Sequence, residues 1–273
     1  MLVREELRDY GPRSSFAAVM RPATIDEARE MLAWAARERR NVTIRGQGQS
    51  YDGESLGDDV VLATTRLTGV LSLTRDRVTL LAGTTWRELL TALAKQGRYP
   101  PVVPSWVEAS VGGTLASPRG GIGKGSIQHG VVRDHVESVV SLDAGGATRL
   151  IAEVTLRLQD RPRFVRRSTC EVSREDLAAT LSESSLAHAS AVLVGPRTFR
   201  AYLTHHVPEG APTSEHLLPP RAEVERPCLV ESRTLDAAGL AALDPAFGRT
   251  VRVHPFLSEG KMTFLVHTSS HAR

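Results

Sequence analysis

Val103–His135 reads V-P-S-W-V-E-A-S-V-G-G-T-L-A-S-P-R-G-G-I-G-K-G-S-I-Q-H-G-V-V-R-D-H, and seven of its residues are glycine: Gly112, Gly113, Gly120, Gly121, Gly123, Gly125 and Gly130. Ser110, Thr114, Ser117, Ser126, Gln128 and His129 lie among them, and no helical or strand period fits the run. Glycine at this density lets the backbone turn tightly and bring its N–H groups close to a ligand. Successive N–H groups in such turns make concavities that hold anions. A flexible linker would not need Val111, Leu115, Ile122 and Ile127 between the glycines.

Working outward, the 273 residues are enough for one large domain or two small ones. Hydrophobic residues make up 41% and charged residues 24%, the mixture of an ordinary globular chain. A net charge of +3 is too small to point to nucleic acid. No apolar run approaches a membrane span, and Met1-Leu2-Val3 meets Arg4, Glu5 and Glu6 without an apolar leader. Cys170 and Cys228 have no metal-like spacing, so a reducing, cytoplasmic setting is expected. The excess of arginine over lysine suits a GC-rich bacterial genome. His205, His206, His254 and His267 match no familiar metal spacing, and no metal is expected.

Before the glycine stretch, Thr24–Arg40 reads as a helix with a Thr24/Glu27 capping box. Val42-Thr43-Ile44 is a short strand running into Arg45-Gly46-Gln47-Gly48-Gln49-Ser50. A dinucleotide fingerprint fails there, because no third glycine follows and Tyr51-Asp52-Gly53 begins a turn, not a helix. The loop suits either a pyrophosphate or a hairpin turn. Strands follow at 60–62, 69–73 and 78–82, and Thr85 with Glu88 caps a helix from Trp86 to Gln96. After the glycines, 135–142 and 150–158 read as strands, the second alternating as a half-exposed strand does, around an Asp143-Ala144-Gly145-Gly146 turn. Arg161–Arg167 reads as a solvated strand edge or linker, and 204–220 as a proline-rich loop. Shorter helices are expected at 173–185 and 236–243, and strands at 189–194, 251–254 and 262–267.

Three pieces together resemble one family. Arg45–Ser50, then Ala82-Gly83-Thr84-Thr85-Trp86, then Val111-Gly112-Gly113-Thr114-Leu115 with Gly120-Gly121-Ile122-Gly123 and His129-Gly130 are similar to the FAD-binding half of vanillyl-alcohol-oxidase-type flavoproteins, nearest to cytokinin dehydrogenases. The resemblance implies an α+β fold: a two-subdomain FAD-binding domain over 1–160 and a shortened α+β substrate domain over 161–273. It implies that FAD would be held by Arg45, Gly46, Gln47, Gly48, Gln49, Ser50, Gly112, Gly113, Thr114, Ser117, Gly121, Gly123, Ser126 and His129.

The departures are specific. Many relatives carry Gly-His-Ser with flavin bonded to the histidine; here the triplet is Gly48-Gln49-Ser50, and an amide cannot form that bond. Any FAD is therefore expected to be noncovalent. Cytokinin dehydrogenases place an aspartate base six residues before the Val-Gly-Gly block, where this chain has Ser105. A hydroxyl is a poor proton acceptor at neutral pH. A Gly-Gly-x-Gly-x-Phe-Gly segment that relatives carry after 142 is missing, and the substrate domain is short, with Val253-His254-Pro255-Phe256 its one familiar piece. Because these lesions fall on redox parts, the reading favours an enzyme of bacterial natural-product tailoring that cyclises without redox chemistry, its flavin structural or lost. The alternative is a noncovalent-FAD oxidoreductase. Ser105, Gln49 and His129 are the candidate catalytic residues, and the expected partner is a small, hydrophobic substrate, with no nucleic acid or membrane.

Overall fold

The computed structural model describes residues 3–143, 148–162, 164–207, 229–243 and 250–270. The chain forms two compact units. One joins Met1–Pro100, Trp106–Gly120 and His135–Gln159; the other joins Pro101–Ser105, Gly121–Asp134 and Asp160–Arg273. The boundary expected at 160 is the last place where the chain passes between units. The glycine-rich stretch is itself divided, Gly112–Gly120 going to one unit and Gly121–Gly130 to the other.

The first unit holds two four-stranded sheets. In one, the order is Arg4–Arg8, Ser14–Met20, Val60–Ala63, Val42–Arg45, with the first pair antiparallel and the others parallel. Two strands parallel to a common neighbour need a crossover, and α1 (Ile25–Arg37) supplies it between Met20 and Val42. Its Ala28 and Leu32 pack with Leu62 and Leu150. Thr24 accepts the Glu27 N–H as expected, but the Glu27 carboxylate reaches back to the Ala23 N–H, one residue before the cap. The two N-terminal strands were not read from the sequence. Arg4–Arg8 is R-E-E-L-R, an edge strand whose charges discourage pairing with another chain and hide the strand pattern.

The second sheet is antiparallel, in the order Val136–Asp143, Arg149–Arg157, Arg77–Leu81, Val70–Leu73. Leu150, Ala152, Val154 and Leu156 are buried and their neighbours are not, the alternation expected of a half-exposed strand. The turn expected at Asp143–Gly146 lies, beyond Asp143, outside the described residues. Helix α2 (Trp86–Ala94) starts at a complete Thr85/Glu88 capping box and buries Trp86, Leu89, Leu90 and Leu93. The glycine stretch is more regular than its sequence suggests: Val111–Ala116 forms α3, capped by Ser110, and in the second unit Ser126–His129 forms α4.

In the second unit a small hairpin pairs Val103–Pro104 with Gly123–Lys124. A six-stranded antiparallel sheet follows, ordered Phe164–Ser173, Thr198–Val207, Leu186–Leu193, Thr250–Ser258, Lys261–Ser270, Leu229–Leu235. Helices α5 (Arg174–Leu181) and α6 (Ala237–Ala241) bury Leu177, Leu181 and Leu240 against Ala189, Ala191, Phe199, Ala201, Val253, Phe264 and Val266. Of the proline-rich loop expected over 204–220, residues 204–207 belong instead to Thr198–Val207, an interior strand of this sheet, and 208–220 lie outside the described residues. No helix among the described residues is long and apolar enough to cross a membrane.

Candidate functional site

The strand Val42–Arg45 delivers the chain into the loop 46–50. Arg45 does not point out of it. Its guanidinium donates to the Arg8 carbonyl at 2.7 Å and to the Ser55 carbonyl and hydroxyl at 3.3 Å, so it braces the loop from beneath. Gly48 is buried at φ 68, and a β-carbon there would fall on that guanidinium. The left-handed turn and the bracing arginine thus require glycine at the same position. Ser50 shares a hydrogen bond with Ser55 at 2.7 Å, and Gln49 donates its amide to the Gln47 carbonyl at 3.2 Å. Among the described residues, the backbone N–H groups of Gln47, Gly48 and Gln49 donate no hydrogen bond. Three consecutive N–H donors in a part-buried turn want an acceptor, and the oxygens of a phosphate are suitable ones.

Helix α3 lies against this loop. A β-carbon on Gly46 would strike the Ser110 hydroxyl and come within 3.8 Å of Gly113 Cα. Here the structure corrects the reading of Gly112 and Gly113 as open anion donors. The N–H of Val111 goes to the Thr84 carbonyl at 2.9 Å, that of Gly112 to the Ala82 carbonyl at 2.8 Å, and that of Gly113 to the Ser110 hydroxyl at 3.2 Å. Gly112 is there for close packing, because a side chain would come 2.7 Å from the Ala82 methyl. Thr114 is likewise engaged, accepting from the Trp86 indole at 2.9 Å and donating to the Ser110 carbonyl at 3.0 Å. Ser117 ends α3.

In the second unit, Gly121 accepts from the Val132 N–H and Gly123 donates to the Ser126 hydroxyl, both at 2.9 Å. Side chains on Gly123 and Gly125 would run into the Val103 and Pro101 carbonyls, so these glycines let the hairpin strands lie together. His129 is the last residue of α4. Ser105 is exposed, its N–H on the Ile122 carbonyl at 3.3 Å.

Sequence reading missed two clusters. Tyr10, Tyr51 and Trp106 meet edge to face beside the 46–50 loop, with centroids 5.0 and 5.5 Å apart, and the Tyr10 N–H bonds the Ser50 carbonyl. The Trp106 indole N–H is sealed from solvent without an acceptor among the described residues. In the second unit, His188, His254 and His267 share one face of the six-stranded sheet. Nothing in the spacing of 188, 254 and 267 announces them, because three different strands bring them together.

Residues 16–151 match the FAD binding domain family. This part of the chain is an FAD-binding domain. The match contains the 46–50 loop, the Ala82–Thr84 turn, α3 and α4. Three curated relatives align with the chain: an uncharacterized oxidoreductase from the fasciation locus of Rhodococcoides fascians (30% identical over 138 residues, 50% of this chain and 31% of the relative), cytokinin dehydrogenase 2 of Arabidopsis thaliana (31% over 129 residues, 46% and 25%), and a D-lactate dehydrogenase of Archaeoglobus fulgidus (28% over 131 residues, 47% and 29%). The chain thus spans less than a third of the length of each. Among solved structures, an alkyldihydroxyacetonephosphate synthase superposes with a TM-score of 0.70 at 14% identity, over 93% of this chain and 69% of that one. That likeness shows the α+β fold.

The donors present fit the FAD-binding domain's cofactor at its diphosphate: three successive open N–H groups, a glycine turn that admits no side chain, and an arginine held beneath it. The fit rests on Gln47, Gly48 and Gln49, whereas Gly112, Gly113 and Thr114 support them through packing.

Proposed function

We propose that the chain is an oxidoreductase that uses noncovalently held FAD on a small organic substrate. The observation that carries this is the run of open N–H groups at 47–49 inside the FAD-binding domain. Support comes from the three relatives, each named as an oxidoreductase or dehydrogenase. When bound, FAD supplies a two-electron acceptor. The protein's part is to grip the diphosphate through the 47–49 amides, to leave the flavin unlinked because Gln49 offers no nucleophile, and to orient the substrate. The cyclisation reading is weaker, since no ring-forming enzyme stands among those relatives; the exposed, neutral Ser105 is what still favours it.

Purified protein reconstituted with FAD is expected to turn yellow and to release all its flavin on acid precipitation. Gly48→Ala is expected to weaken FAD binding at least about tenfold by displacing the Arg45 guanidinium and the left-handed turn. Flavin retained on the precipitate, or full affinity in the variant, contradicts the reading. A product two mass units lighter than its substrate marks the oxidoreductase, and an unchanged mass marks the cyclase.

A further inference from the structure

The antiparallel sheet of the first unit ends on Val136–Asp143, which pairs on one side with Arg149–Arg157 and on the other with no strand among the described residues. Its sequence is V-E-S-V-V-S-L-D, and residues 137–141 are all exposed. A strand with one bare side presents N–H and C=O groups that pair with another chain unless something prevents it. Other edges of this protein carry such protection. Arg4–Arg8 is charged at every position but Leu7, and Phe164–Ser173 shows Arg166, Arg167 and Glu171 to solvent. Val136–Asp143 has no lysine, arginine or proline. Its Glu137 is turned toward Arg77 and Arg157, each at 3.6 Å, and Val139 and Val140 in its middle are 44% and 46% exposed.

We infer that this edge pairs with the same strand of a second copy of the chain, antiparallel about a two-fold axis at Val139, and that the protein dimerises through it. The middle of the strand, Ser138-Val139-Val140-Ser141, reads the same in both directions, so antiparallel self-pairing brings only valine and serine together near its centre. A two-fold axis perpendicular to the sheet sets one residue opposite its own copy. Centring on Val140 would put Glu137 against Asp143 of the second copy, like charges face to face. Centring on Ser138 would put the Glu137 carboxylate against valine. Centring on Val139 sets Glu137 opposite Ser141, keeps the acids apart and pairs valine with valine.

The same register has a packing reason. Val139 lies opposite the buried Val154, so its side chain stands at the rim of the sheet's buried face. There its own copy covers it. Because both copies use one patch, the contact closes on itself as a dimer. The sheet's other bare edge, Val70–Leu73, has four residues against eight, and joining it to Val136–Asp143 would be a head-to-tail contact that grows without closing. A register shift between Val136 and Ser138 ends the regular pairing there, so the contact is short and the dimer a weak one. The inference is independent of the cofactor reading.

The test is sedimentation velocity of the full chain from about 1 to about 500 μM, with disulfide trapping beside it. The protein is expected to pass from monomer to dimer over that range and to go no further. Val139→Lys sets two like charges against each other at the axis and is expected to weaken association at least about tenfold, with circular dichroism reporting that the variant is folded. Trapping does not depend on that variant. With Cys170→Ser and Cys228→Ser as background, Val139→Cys meets its own copy and is expected to form an interchain disulfide under mild oxidation, whereas Leu71→Cys on the opposite edge is not. A closed dimer trapped at Val139 supports the assignment. A monomer throughout, growth beyond the dimer, unchanged association in folded Val139→Lys, or trapping through Leu71 and not Val139 overturns it.

Discussion

A β-carbon on Gly83 would lie against the Thr64 carbonyl oxygen and 2.7 Å from that of Leu67, both backbone atoms that cannot swing aside. Gly97 stands in open space and needs glycine only for its φ of 64. Gly83→Ala is therefore expected to cost at least about 2 kcal/mol, as overpacking does. Gly97→Ala is expected to cost about 1 kcal/mol of left-handed strain. Urea unfolding midpoints compare the two, and equal losses would mean that the turn at Gly83 yields. The same distinction explains what could be read at this scale. The Thr85/Glu88 box spans one helical turn and was legible from spacing alone. The purpose of Gly112 was not, because it depends on Ala82, thirty residues away in sequence and in direct contact in the fold. Glycine density showed where backbone comes close to something; at Gly112, Gly123 and Gly125 that something is the protein itself.

At the scale of elements, the histidine-bearing face of the six-stranded sheet sets an acid limit. His188 and His254 titrate far below the ~6.5 of a free imidazole, so between that pH and about 4 the unfolded chain holds more protons than the folded one. Their contribution to stability is complete above about pH 6.5 and is lost as pH falls toward 4. Glu5 and Asp59, held below their ordinary range by hydrogen bonds from Arg21 and Arg40, act in the opposite sense of charge. Their contribution is present above about pH 4 and is lost as pH falls through their lowered values. The melting temperature is thus expected to decline in two stages, and His188→Gln to flatten the upper one while sparing the lower. An unflattened upper stage would assign it to other groups. This sheet was only half visible beforehand. Leu186–Leu193 and Thr250–Ser258 alternate small apolar with polar side chains, a readable period. Thr198–Val207 alternates too, but its Thr204, His205 and His206 run into a proline-rich sequence that reads as a loop from 204 on. Those polar residues belong to an interior strand, hydrogen-bonded on both sides, so composition misleads there.

For the molecule as a whole, the decisive feature is that Pro101–Ser105 and Gly121–Asp134 build into the unit completed by the last hundred residues. A fragment ending at 160 keeps the family match but leaves Ile127 without its core and the Gly125 N–H without the Ala187 carbonyl. Such a fragment is expected to aggregate or to be cut by protease within 121–134, and a stable, monomeric 1–160 would show that these segments fold without their partners. The consequence reaches the ribosome. α4 packs on the strands Leu186–Leu193 and Thr250–Ser258, and at 5–20 residues per second the second of these emerges roughly ten seconds after α4 itself. For that interval the family-matched segment has been synthesised but has nowhere to settle, and the nascent chain carries an apolar Ile127 that its own first half cannot hide. Slow codons after residue 135 would lengthen the exposure, whereas a circular permutant beginning at residue 160 would present the waiting strands first.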